Sequence, residues 1–143
     1  MTTQFKNWFW RWGTALLLMM IIYWASHTPG PDIPSFGLWD TLVKKGGHAL
    51  GYALLALAYL RGLSNGRRPA ARQMIGAVGL AALYAGADEF HQSFTRGRTP
   101  AVVDVLIDAA GATAGVSLRA LVMGWLERRR EPGSAEQEER RWR

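Results

Sequence analysis

Four apolar stretches, joined by short polar connections, constrain this chain more than any other feature. They cover residues 8–26 ("WFWRWGTALLLMMIIYWAS"), 46–63 ("GGHALGYALLALAYLRGL"), about 72–94 and about 100–126. As a helix rising 1.5 Å per residue, about 20 such residues cross a hydrocarbon layer about 30 Å thick. The expectation is an all-α fold, an integral membrane four-helix bundle. In the first stretch, Trp8, Trp10 and Trp12 lie at one end and Tyr23 and Trp24 at the other. They read as two interfacial belts, with Arg11 snorkelling toward the headgroups. Those belts, and the lack of a small-x-small cleavage site, favour a retained span over a cleaved signal peptide. Thr99 and Pro100 suit the N-cap and first position of the last helix. Gly76 with Gly79, and Gly111 with Gly115, are spaced to let helix backbones approach closely.

Composition narrows the function classes. The 143 residues suffice for one domain. A four-span membrane domain is expected over 1–127, with a charged, disordered tail, "RRREPGSAEQEERRWR", over 128–143. The absence of cysteine excludes disulfides and thiolate metal sites. A net charge of +6 is compatible with nucleic-acid binding. Seven Trp, 49% hydrophobic residues and the long apolar runs point instead to a bilayer partner and no nucleic acid.

The basic residues orient the bundle. With four spans, both termini share a side with the second loop, and that side carries thirteen of the 17 Lys and Arg. The other side carries Lys44, Lys45, Arg96 and Arg98. The positive-inside rule then places both termini in the cytoplasm. The loop over 27–45 and the one over about 95–99 face outward.

The outward end gathers polar residues. Counting turns from Lys44, Gln92 and Pro100 sets His48, Asp88 and Asp104 at one depth and Tyr52 and Asp108 a turn deeper. The pairs His48/Tyr52, Asp88/Gln92 and Asp104/Asp108 are each four residues apart and share a helix face. An ionised Asp near the bilayer centre costs about 2.5–3.5 kcal/mol, so these carboxylates are expected to face inward and pair with Arg96, Arg98, His48 or water. Three readings follow. The first is an outward polar cleft for an anionic ligand, lined by Lys44, His48, Tyr52, Asp88, Glu89, Gln92, Arg96, Arg98, Asp104 and Asp108; guanidinium forks suit phosphate. The second is catalysis with His48, Asp88, Glu89 or Asp104 as acid, base or ligand of Mg²⁺ or Mn²⁺, although no metal motif is present. The third is a self-satisfied network that glues the bundle. Ser93, beside Gln92 and near His91, makes no convincing nucleophile pair. His91 suits the interface, and His27 suits a turn after the first span.

Several motifs fall in order: "SHTPG" over 26–30, "KKGGHALGYALLAL" over 44–57, and "DEFHQSFTRGRTPAVVDVLIDAAGATAG" over 88–115. With them the chain resembles the VanZ-like family of small membrane proteins. The family pattern falls on Ser26 and Pro29; His48 and Tyr52; Asp88, Glu89 and Gln92; Gly97 and Arg98; and Asp104 and Gly111. Asp108 stands where the family usually carries Asn, which adds a charge and removes an amide donor. The resemblance implies a bacterial membrane protein; with the four spans and the charge count, the expectation is a multi-pass protein of the inner membrane with its site on the extracytoplasmic side. It implies no established reaction and no cofactor. The family's founding member is associated with low-level resistance to the glycopeptide teicoplanin. The basic rim and the polar layers within a lipid-facing bundle make a polyprenyl phosphate or cell-wall precursor the expected ligand class.

Overall fold

The computed structural model describes residues 3–28 and 37–130. Among them are four α-helices and no strand: α1 (Thr3–His27), α2 (Asp40–Ser64), α3 (Ala71–Gln92) and α4 (Val102–Arg130), with one turn of 3₁₀ helix at Gly37–Trp39 before α2. The all-α expectation is met. Among the described residues one helix, α4, is long and apolar enough over Val102–Arg129 to cross a membrane. The other helices dilute their apolar runs with Trp, Tyr, Gly and charged residues.

Helix ends differ from the expected ones for physical reasons. Helix α2 starts before the apolar run, because Lys44 and Lys45 belong to its early turns. Helix α4 starts at Val102, so Thr99 and Pro100 are not its first residues. Its first turn is closed by the Asp104 amide donating to the Ala101 carbonyl, 2.8 Å. Helix α1 continues through His27, which is therefore helical and not in a turn. Helix α4 includes the first three residues of the expected tail, 128–130, and the rest, 131–143, lies outside the described residues, as does Pro29.

The interior is built from small side chains. Ala77, Ala81, Ala85, Asp88 and Gln92 form the buried face of α3. Ala15, Ala56, Ala58 and Ala112 join them around Tyr52, Leu55 and Leu60. Large apolar residues point outward instead: Ile75 and Leu83 are each 73% exposed. A water-soluble bundle normally buries such side chains. Small residues inside let the backbones approach. At Gly111 a Cβ would overlap the Ala49 carbonyl oxygen, and at Gly115 it would press on Ala53 at 3.0 Å. The expected close approach is thus real at Gly111 and Gly115, between α4 and α2. It fails at Gly79, where nothing lies within 4 Å, and Gly76 makes only ordinary contact with Leu63 at 3.5 Å. A further close approach occurs at Gly62, where a Cβ would strike the Trp12 indole at 2.8 Å.

Helix α2 packs on all three others, most extensively on α4, and α3 also touches both α1 and α4. Among the described residues α1 and α4 do not pack together, so they occupy opposite flanks of the α2–α3 pair. Successive helices run antiparallel, which gives the bundle two ends. One gathers the close of α1, the start of α2, the close of α3 and the start of α4. We call it the polar end. The other, the arginine end, holds Arg11, whose Nη2 donates to the Gly62 carbonyl at 2.9 Å, and Arg61, whose Nη1 donates to Thr14 at 3.2 Å.

Candidate functional site

Asp88 reaches the interior because it follows Ala85 on the buried face of α3, and Gln92 lies one turn further along that face. Across from them, the last turn of α1 brings in Ser26. The Ser26 hydroxyl donates to Asp88 Oδ2 at 2.6 Å. The Gln92 amide donates to the same oxygen at 3.1 Å and to Ser26 Oγ at 3.2 Å. All three residues are buried. Asp88 therefore takes its partners from α1 and its own helix, and forms no pair with Arg96 or Arg98. The reason is that α1 ends alongside α3, so its serine arrives at the carboxylate first. The cluster clamps two helices whose mutual contact is otherwise slight.

On α2 and α4 the polar residues pair in sequence. Lys45 Nζ bonds Asp104 Oδ1, and His48 Nδ1 lies 3.8 Å from Asp108 Oδ2. This register differs by one turn from the expected one, in which His48 stood level with Asp104. The earlier start of α2 lowers His48 to the depth of Asp108 and leaves Lys45 to meet Asp104. Tyr52, one turn deeper, stacks with His48 at a centroid distance of 6.5 Å and tilts against Tyr84 at 6.3 Å. Tyr84 donates to the Met19 carbonyl, 2.7 Å.

Two oxygens in this layer keep unused capacity. The Tyr52 hydroxyl and Asp108 Oδ1 are buried without a hydrogen-bond partner. Asp88 stands close enough to the Tyr52 hydroxyl to attract its proton and Asp108 lies within electrostatic range, but the hydroxyl completes no well-formed hydrogen bond with either. The His48 side chain is 29% exposed and that of Asp108 6%. His48 is thus the accessible edge of the layer, with Tyr52 and Asp108 behind it.

The remaining candidates serve helix ends. Glu89 Oε1 accepts from the Ala101 amide at 2.5 Å, so α3 caps the start of α4. That acceptor satisfies a backbone donor which a helix start leaves open. Arg98 Nη2 donates to the Ala25 carbonyl at 3.1 Å and its Nε to the Thr28 carbonyl at 3.5 Å. A cation at the end of α1 also complements the helix dipole. Gly97, at φ +74°, makes the turn that aims Arg98 back. Arg96 is exposed at that turn, and Lys44 is half-buried. His27 Nδ1 and His91 Nε2 lie 3.2 Å apart, with Tyr23 stacked beside them. Ser93 donates to the Phe90 carbonyl at 2.6 Å. Among the described residues no three His, Asp or Glu side chains converge on a common point where a metal could sit.

The geometry therefore divides the ten candidates. His48 and Asp108 pair with Tyr52 a turn beneath them, Asp104 flanks the pair through Lys45, Asp88 with Gln92 borders it, and Lys44 and Arg96 lie nearer the surface. Glu89 and Arg98 are spent on backbone. Ser26 is the partner that sequence reasoning left out of the site. Its signal was present in "SHTPG", where a serine precedes the helix-ending proline by three residues.

No curated protein and no solved structure matches the chain. A family model, described as VanZ/LLP1, matches residues 5–123. That range takes in all four helices except the first two residues of α1 and the last turns of α4, and with them the Ser26–Asp88–Gln92 cluster and the His48–Asp108 pair with Tyr52. The chain belongs to the VanZ/LLP1 family.

Proposed function

We propose that the protein is a multi-pass bacterial inner-membrane protein. Its polar end faces outward and binds the head of an anionic, lipid-linked envelope molecule such as a polyprenyl phosphate or wall precursor. The membrane reading rests on the inverted packing, with alanines inside and Leu83, Ile75, Phe90 and Leu121 outside. Contiguous apolar surface of that kind marks contact with lipid or another apolar partner. Thirteen of the 17 Lys and Arg fall on the side with the termini, which favours a cytoplasmic arginine end.

The observation that carries the binding reading is the pair of unsatisfied interior oxygens behind His48. An unpaired buried polar group costs about 1–3 kcal/mol, so an unfilled pair is a place for a ligand to gain. Tyr52 offers a donor and Asp108 an acceptor, a combination that suits a phosphate bearing hydroxyls or a sugar. Lys44 and Arg96 supply positive charge at the mouth.

The test is polyprenyl phosphate binding to the purified full chain in nanodiscs, read by native mass spectrometry. Tyr52→Phe should weaken binding about fivefold, the worth of one hydrogen bond of about 1 kcal/mol, while leaving thermal stability unchanged or raised. Wild-type affinity in both Tyr52→Phe and Asp108→Ala sinks the reading. In cells, loss of the protein should change teicoplanin susceptibility, and a variant carrying both substitutions should not restore it.

One observation favours a second reading. The His48–Asp108 pair at 3.8 Å has the make-up of an acid–base couple, with Asp88 in electrostatic range. On that reading the protein is a membrane enzyme acting on a lipid-linked phosphate or sugar. Turnover of such substrates, with and without Mg²⁺, decides between the two. The Ser26–Asp88–Gln92 cluster, by contrast, has the closed form of a purely structural network.

A further inference from the structure

The arginine end contains a cavity that the polar end does not account for. It measures about 240 Å³ and lies where the turn after α2 and the start of α3 meet α4. A single water needs about 10–15 Å³ of such space, so this one has room for a headgroup. Arg67, Arg68 and Arg119 line it, together with Met74, Val116 and Met123. The site is thus basic on one side and apolar on the other.

We propose that this cavity holds the phosphate of an anionic membrane lipid, with an acyl chain laid along α4. Arg119 supports this most strongly. It is the only charged residue between Asp108 and Glu127, inside the helix that is long and apolar enough to cross a membrane. Its Nε is buried with no hydrogen-bond partner. A guanidinium at such depth is costly unless something pairs with it. The cavity is where a pairing anion fits, and a phosphate matches the guanidinium fork.

The surrounding residues fit the same ligand. Asn65, in the left-handed region at φ 52°, and Gly66 at φ 72° make the tight turn that presents Arg67 and Arg68. The Arg67 amide is fixed to the Ser64 carbonyl at 3.0 Å. Arg68 reaches Glu127 at 3.1 Å, but its side chain is 80% exposed. Exposed pairs of that kind are worth little, so a phosphate can displace it. Met123, which lines the cavity, is itself half-exposed, so apolar surface leads from the cavity along α4 where an acyl chain can lie. Basic pockets between membrane helices on the cytoplasmic side take anionic headgroups for these reasons. The inference rests on the bilayer reading above, and not on the ligand proposed for the polar end.

The experiment uses the full chain in nanodiscs of phosphatidylcholine with and without phosphatidylglycerol, and counts retained lipid by native mass spectrometry. The expected result is selective retention of phosphatidylglycerol, weakened about fivefold by Arg119→Gln and kept by Arg119→Lys. If Arg119→Gln does not fold, the Arg67→Gln/Arg68→Gln double variant, altered only in the turn, is expected to weaken retention to at least the same degree. Equal retention of the two lipids by wild type overturns the proposal, as does full retention by both the Arg119→Gln and double variants. Displacement of the lipid by millimolar glycerol phosphate would show a site for a free anion, which also overturns it. Failure of the chain to enter nanodiscs removes the bilayer reading and this proposal together. Entry without lipid selectivity removes only this one.

Discussion

The two ends of the bundle handle charge in opposite ways. At the polar end, Ser26 and Gln92 satisfy Asp88, Lys45 meets Asp104, and Glu89 and Arg98 secure the ends of α4 and α1. Nearly every charge there has a protein partner, and two buried oxygens, those of Tyr52 and Asp108, are left over. At the arginine end, Arg11 and Arg61 bond α2 and α1, but Arg67, Arg68 and Arg119 gather around open space. Charge in this protein is therefore not one device. At one end it fixes the helices to one another; at the other it borders open space, where we propose that an anion binds. The two ends should accordingly respond differently to substitution.

The largest effect should come from what the ends share, the α2–α4 contact between them. Gly111→Ala sets a methyl group against the Ala49 carbonyl, so the two helices must separate. Overpacking of this kind costs about 3 kcal/mol or more when backbone blocks relief. Thermal unfolding should show a collapse in stability, whereas Gly79→Ala, facing open space, should stay near wild type. A mild effect at Gly111 would mean that the helices are not held so close.

Next comes the clamp. Asp88→Ala leaves Ser26 and Gln92 without their buried acceptor and should cost about 2–3 kcal/mol. Arg119→Gln, at the other end, should leave stability in lipid-free detergent within about 0.5 kcal/mol, since nothing in the protein is lost with it. Equal destabilisation by the two substitutions would erase the contrast between the ends. Glu89→Ala is smaller, about 1 kcal/mol, the worth of a helix cap, and should appear as faster amide exchange at Ala101. Smallest is Tyr52→Phe, which removes a hydroxyl that completes no well-formed hydrogen bond and should shift stability by less than about 0.5 kcal/mol. A large loss there would show that the hydroxyl already has a partner.

Helix number and the clustering of polar residues at one end were both legible in the sequence, because apolar run length and four-residue spacing report directly on helices. Register was less so. Counting turns from Lys44 put His48 level with Asp104, since polarity was taken as the boundary of α2; the helix passes through Lys44 and Lys45 to Asp40. Nor did spacing reveal that Arg98 turns back onto the carbonyls of Ala25 and Thr28, or that Glu89 caps another helix. Those contacts depend on the Gly97 turn and on which helix lies alongside, neither of which is a local property. Ser26 was visible as a motif residue. Its role emerged only with the side-by-side placement of α1 and α3.

The central claim is that the two ends lie on opposite sides of a membrane, with the polar end outside. The chain contains no cysteine, so single cysteines report position without background. Thr99→Cys, exposed at the polar end, and Ala70→Cys, exposed at the arginine end, touch neither site. With a membrane-impermeant maleimide on intact cells, Thr99→Cys should label at once and Ala70→Cys only after permeabilisation. Labelling of Ala70→Cys on intact cells, with Thr99→Cys protected until permeabilisation, would contradict the account.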